Sequence, residues 1–135
     1  MINISSQQIA KNYNRIPVHR KADLLVPRQS FGVCVINPYI YAIGGMSVKK
    51  RPLASVERYN LLTDSWEVVK DMTLPQPLFS MNVFQVEKRI IYLFGAMVAD
   101  RVKKTEFILR FDTRNMSQGW SSFDLEIDPG FGKGC

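Results

Sequence analysis

Tyr39-Ile40-Tyr41-Ala42-Ile43-Gly44-Gly45 opens the stretch that decides the fold. Ser55-Val56-Glu57-Arg58-Tyr59-Asn60 follows, then Thr63-Asp64-Ser65-Trp66-Glu67-Val68-Val69, then Met72. β-branched and aromatic residues fill the three runs, and glycine, asparagine, threonine and aspartate separate them, which reads as three short strands joined by turns. A weaker copy lies downstream. Ile90-Ile91-Tyr92-Leu93-Phe94-Gly95-Ala96 matches the first run, Phe107-Ile108-Leu109-Arg110-Phe111-Asp112 the second, and Gly119-Trp120 the third. Gly95 stands 51 residues after Gly44, Tyr92 stands 51 after Tyr41, and Trp120 stands 54 after Trp66. A self-similar period of about 50 residues marks a repeat architecture.

The pattern resembles a kelch repeat. An apolar run ends in Gly44-Gly45, Glu57-Arg58-Tyr59 sits in the next strand, and Trp66 and Met72 follow at the family's spacing. Gly95 and Trp120 carry the same resemblance in the second copy, which departs from it at Ala96, where a second glycine is expected, and in a recast loop before Phe107. The resemblance runs from about Leu24 to Glu126. It implies an all-β chain of four-stranded antiparallel sheets, the blades of a β-propeller. The expected divisions are a tail over 1–23, a first blade over 24–73, a second over 74–127 and the start of a further blade over 128–135. A propeller takes about four to eight blades. At about 50 residues per blade, 135 residues supply two to three, an incomplete ring. The expectation is a piece of a longer propeller, cut after Cys135, or a chain that completes a ring by self-association.

Taken in order, Tyr13 to Val18 reads as the last strand of a preceding blade, and Leu24-Leu25-Val26-Pro27-Arg28 as the linker into the next, where the family often places an arginine after the proline. Ser30 to Ile36 is strand a, with Phe31, Val33 and Val35 alternating with Ser30, Gly32 and Cys34. Asn37-Pro38 makes the a–b turn, and Tyr39 to Ile43 is strand b, apolar enough to be covered on both faces. Gly44-Gly45 is expected to relieve crowding near a central channel. Strand c spans Ser55 to Asn60 and strand d Ser65 to Val69, with Trp66, Val68 and Met72 turned to one side and Trp66 packing between blades. In the second copy, Phe79 to Val86, Ile90 to Phe94, Glu106 to Asp112 and Trp120 to Leu125 take the same four roles. No window holds a helical apolar period for three turns.

Hydrophobic residues make up 46% of the chain, enough for a packed core. The net charge of +6 favours acidic partners without specifying one. Two cysteines, Cys34 and Cys135, provide neither a disulfide framework nor a zinc spacing. The first residues lack a basic segment followed by an apolar one, and no apolar run reaches the length of a membrane span, so an intracellular, cytoplasmic setting is the expectation.

Up-and-down connectivity sends the b–c loops and d–a connections of every blade to one end. That end collects Lys49, Lys50, Arg51, Arg101, Lys103 and Lys104, together with Pro75, Gln76 and Pro77. Loops on a rigid scaffold concentrate binding, and the resemblance implies that such a surface holds a protein partner. The expectation is a non-catalytic interaction scaffold whose basic loop face takes an acidic protein segment, with no cofactor, no metal and no membrane contact. Some kelch-fold proteins are enzymes, a copper oxidase and a sugar epimerase among them. Copper would need converging histidine and tyrosine ligands, and His19 is the one histidine of the chain. Gly-x-Ser-x-Gly does not occur. Nucleic acid is disfavoured because the aromatics occupy strand positions and do not interleave with the charges. The alternative is a fragment of a larger kelch protein, such as a ubiquitin-ligase adaptor, an actin-associated protein or an enzyme, with no activity of its own.

Overall fold

The computed structural model describes residues 21–98 and 107–124. The strand expected at Tyr13–Val18, His19, the start of strand c at Glu106 and the segment from Asp128 to Cys135 lie outside the described residues. So do the cations Arg101, Lys103 and Lys104.

All described strands are antiparallel. A first sheet is built from β2 (Gly32–Ile36), β3 (Tyr39–Ile43), β5 (Val56–Asn60) and β6 (Ser65–Val68), hydrogen-bonded in that order. A second repeats the meander with β7 (Asn82–Val86), β8 (Ile90–Phe94), β9 (Phe107–Asp112) and β10 (Ser121–Asp124). A small third sheet pairs β1 (Arg28–Gln29) with β4 (Met46–Ser47). These are two four-stranded blades, the all-β class that the repeat implied.

The turns explain where each strand stops. Between β7 and β8, Glu87 and Lys88 both have positive φ, and the Arg89 amide donates to the Val86 carbonyl at 3.1 Å. Val86 pairs with Ile90 across these three residues, and the two successive positive φ values give the primed turn whose twist matches the strands it joins. Asn37-Pro38, a cis peptide, joins β2 to β3. The Pro38 carbonyl accepts from Leu61 at 2.9 Å, which ties this turn to the one between β5 and β6.

The blades pack face to face. Cys34, Ile36, Tyr41, Ile43 and Val56 of the first meet Ile91, Leu93, Leu109 and Phe111 of the second, with Met72, Leu74 and Leu78 of the connection between them. Each large apolar side chain buried here contributes roughly 2 kcal/mol. The blades approach so closely at Gly32 that a Cβ there would lie 2.5 Å from Val83 Cγ2.

Several expectations are corrected. Strand a begins at Gly32 because Ser30 takes a positive φ of 54°. Its buried face is Gly32, Cys34 and Ile36, while Val33 and Val35 are about half exposed, at 46% and 49%. In the second blade Ser80 repeats that positive φ, so strand a begins at Asn82, and Phe79 instead forms a bridge with Met97. Met72 does not share a side with Trp66 and Val68: it is fully buried in a short 3₁₀ turn, Lys70–Met72, between the blades. The glycine pair does relieve crowding, though against the connecting segments. A Cβ on Gly44 would meet the Leu78 carbonyl at 2.6 Å, and one on Gly45 the Gln29 carbonyl at 2.7 Å.

Candidate functional site

Two kinds of surface stand out: the loop end that joins the blades, and the outward face of each blade.

At the loop end, the segment after Gly45 folds into a fixed turn. Met46 pairs with Gln29 and bridges to Pro52. The Ser47 amide donates to the Arg51 carbonyl at 2.9 Å, and the Lys50 amide to the Ser47 carbonyl at 2.9 Å. Lys50 sits at the turn with a φ of 58°. Lys49, Lys50 and Arg51 are all exposed at its tip. The d–a connection lies alongside. Leu74 donates to the Ala54 carbonyl at 2.8 Å, Leu78 to the Leu53 carbonyl at 3.2 Å, and Gly45 to the Leu78 carbonyl at 2.8 Å. Pro75, Gln76 and Pro77 are exposed between these anchor points. Loop and connection therefore form one hydrogen-bonded body that carries three exposed cations. Proline at two of the three connection positions restricts the backbone there.

Beneath this end lies a buried ion pair. The Arg28 guanidinium meets the Glu57 carboxylate at 2.7 Å, with both side chains wholly inaccessible. Arg28 also donates to the carbonyls of Gly44, at 2.9 Å, and Ser55, at 2.8 Å. Glu57 accepts the amides of Leu25, at 2.7 Å, and Val26, at 2.9 Å. The pair clamps the incoming linker onto the first blade and braces the start of the basic loop. Glutamate in the middle of a strand of otherwise apolar burial is the sequence signal for such a partner. Arg58, its neighbour, points to the other face, where it reaches Glu67 at 2.7 Å and lies 4.0 Å over the Tyr39 ring.

The two tryptophans play matching roles. Trp120 Nε1 donates to the Met72 carbonyl at 2.7 Å and its ring packs on Phe111, 5.2 Å between centroids. Trp66 Nε1 donates to the Ala22 carbonyl at 2.9 Å and packs on Tyr59, also at 5.2 Å. Trp120 thus braces the second blade on the first, whereas Trp66 holds the segment that precedes the first blade. Asp64 completes that anchor by accepting the Ala22 amide at 2.9 Å and the Tyr59 hydroxyl. The Tyr59 hydroxyl bond holds the Asp64 carboxyl below its ordinary range, with the Ala22 amide adding to it. The same hydroxyl bond pushes the Tyr59 phenol up to about 12.

Both blades leave an apolar face open among the described residues. Trp66, Val33, Ile40, Ala42 and Phe31 line a cavity of about 360 Å³ on the outward side of the first blade. On the second, Phe84, Phe94 and Phe123 are exposed by 47%, 36% and 49%. Phe84 stacks on Tyr92 and meets Phe94 edge-on. Strands apolar on both faces were the sequence signal for these surfaces. Cys34 lies buried in the core, where desolvation pushes its thiol up to about 11. Among the described residues no three histidine, cysteine, aspartate or glutamate side chains are gathered to hold a metal, and no helix is long and apolar enough to cross a membrane.

The sequence is similar to that of known proteins. The family model for the kelch motif matches residues 27–73. Kelch-like protein 15 of Danio rerio is 46% identical over 50 residues, which is 37% of this chain and 8% of that protein. Beta-scruin of Limulus polyphemus is 30% identical over 90 residues, 67% of this chain and 10% of that protein. Kelch-like protein 28 of Homo sapiens is 28% identical over 78 residues, 58% of this chain and 13% of that protein. The chain thus matches only about a tenth of the length of these relatives. Residues 27–73 match the kelch motif, and over part of its length this chain is similar to the kelch-like proteins.

Proposed function

We propose that the chain is a non-catalytic protein-interaction scaffold that takes an acidic protein segment on its loop end. The observation that carries this reading is the fixed turn at Ser47–Arg51, which presents Lys49, Lys50 and Arg51 to solvent beside the proline-bounded connection. Cations held on a hydrogen-bonded body lose less entropy on binding than cations on a free loop, so they attract a carboxylate-rich segment at lower cost.

The test is fluorescence anisotropy with a labelled glutamate-rich peptide, read at several salt concentrations. The expected result is saturable binding that weakens with salt and falls at least about tenfold, ~1.4 kcal/mol, when Lys49, Lys50 and Arg51 are all changed to Glu. Unchanged affinity in that variant would remove the loop end as the site. No binding by the parent chain at low salt would favour the alternative, a section of a larger kelch protein without activity of its own.

A further inference from the structure

Arg28 holds the basic loop at two places. Its backbone pairs with Ser47, the residue that opens the turn at the loop tip, and Gln29 beside it pairs with Met46. Its side chain reaches the stem, where the loop leaves the sheet at Gly44 and returns at Ser55. There the guanidinium donates to the Gly44 carbonyl at 2.9 Å, the Ser55 carbonyl at 2.8 Å and Ser55 Oγ at 3.0 Å. The Ser55 carbonyl also accepts the Gly44 amide at 3.0 Å, and the Gly45 carbonyl accepts the Leu53 amide at 2.8 Å. The guanidinium thus ties together a stem that backbone bonds close. Its remaining bonds go to Glu57, at 2.7 Å, and to the Val26 carbonyl, at 3.3 Å.

The second blade shows that a linker can be seated without such a pair. Gln29–Met46 in the first blade corresponds to Phe79–Met97 in the second, and Ser30 and Ser80 share the same positive φ. By that correspondence Arg28 stands where Leu78 stands. Glu57, opposite Ala42, stands where Leu109 stands, opposite Leu93. Both leucines are buried. An apolar pair avoids the cost of taking two charges out of water. What the ion pair adds in the first blade is the set of bonds to Gly44 and Ser55, which a leucine cannot make.

We propose that Arg28 is a positioning residue of the loop end: its side chain, wholly inaccessible to a partner, fixes the stem from which Lys49, Lys50 and Arg51 meet an acidic segment. This role rests on the interaction reading given above. The guanidinium is a planar fork that serves the Glu57 carboxylate and the stem carbonyls together, whereas a lysine ammonium carries the same charge without that geometry. Arg28→Lys therefore keeps a charge opposite Glu57 and the net charge of +6, and gives up part of the stem bracing. A looser stem presents the same three cations at a higher entropic cost of binding.

The experiment reads Arg28→Lys in two ways. Without any peptide, amide hydrogen exchange is followed at Ser47, Lys50 and Leu53, whose amides are bonded within the loop, and along β8 and β9 of the second blade. The loop amides are expected to exchange about tenfold faster than in the parent chain, and the β8 and β9 amides to accelerate much less, because a local opening releases the loop. A labelled glutamate-rich peptide is then titrated at several salt concentrations. Affinity is expected to fall about three- to tenfold with the same dependence on salt, since no charge has changed. Equal acceleration of loop and sheet amides would overturn the proposal by leaving Arg28 a role in global stability alone. Unchanged loop exchange, or an affinity equal to the parent's, would overturn it too. A parent chain that binds no peptide removes the interaction reading instead, and the exchange pattern then decides by itself whether Arg28 fixes the loop. Ser55→Ala, which deletes only the Oγ bond, is read in the same way if Arg28→Lys does not fold, with the same pattern expected at smaller size.

Discussion

The Arg28 guanidinium and the Glu57 carboxylate meet at 2.7 Å with neither side chain exposed, and the equivalent positions of the second blade hold Leu78 and Leu109, also buried. One blade closes its linker with an ion pair, the other with two leucines. The exchange extends to the backbone. Glu57 accepts the Leu25 amide, and the residue equivalent to Leu25 is Pro75, which has no amide hydrogen to satisfy.

Breaking that pair is expected to be costly. Glu57→Gln or Arg28→Met leaves one buried charge without its partner and should destabilise the chain by about 3–5 kcal/mol. The double variant Arg28→Leu/Glu57→Leu should recover much of this, since an apolar pair of similar volume replaces a buried ion pair at little loss. Adding Leu25→Pro should recover more by removing an orphaned donor. Urea unfolding of the series measures it, and a double variant as unstable as the singles would contradict this reading.

The glycines differ in what surrounds them. Gly44 has a φ of 60°, and a Cβ there would lie 2.6 Å from the Leu78 carbonyl. Gly119 has a φ of 69° with nothing within 4 Å of that point. Gly119 also has a ψ of −163°, a region open essentially to glycine, so Gly119→Ala should cost about 1–3 kcal/mol from backbone strain alone, while Gly44→Ala adds displacement of the backbone it abuts and should cost more. Equal losses in urea unfolding would show that the contact with Leu78 yields freely.

Trp120 and Trp66 make the same bond in different surroundings. Trp120→Phe removes a donor from the carbonyl of the buried Met72 and should lower stability by about 1–2 kcal/mol. Trp66→Phe removes an exposed bond to Ala22 and should cost no more than about 0.5 kcal/mol. Thermal melts of the two variants compare them directly.

The Asp64–Tyr59 contact gives two pH limbs. The Asp64 pKa is lowered in the fold, so its contribution is full above the unfolded value of about 3.9 and fades as pH drops through the folded value. The Tyr59 pKa is raised to about 12, so its contribution is full below about pH 10, the unfolded value, and is lost as pH rises through 12. Asp64→Asn should flatten the acid limb. Tyr59→Phe should remove the phenolate absorbance that appears near pH 12. An unchanged titration in the Tyr59 variant would contradict the assignment.

Strand order and blade class were legible because they rest on local chemistry. The run Tyr39–Ile43 is β3 to the residue, since β-branched and aromatic side chains end sharply at Gly44-Gly45. The turn between Val86 and Ile90 falls where the two apolar runs leave a gap, although the positive φ of Glu87 and Lys88 does not show in the residue types. Strand a was read two or three residues too long in each blade, because Ser30 and Ser80 take a positive φ that serine does not announce; the Ser80 amide donates to the Ser30 carbonyl at 2.8 Å, a contact between repeats.

By itself the sequence determined the period, the glycine stops and the alternation that builds each sheet, all properties of neighbours along the chain. Only the tertiary structure decided which side of a strand is inside. Val33 and Cys34 are both small and apolar, and the second blade covers Cys34 while Val33 stays about half exposed, at 46%. It also turned Arg28 from a linker residue into the buried partner of Glu57, 29 positions away. Burial depends on which surface arrives from elsewhere in the chain, and no local pattern of residues carries that information.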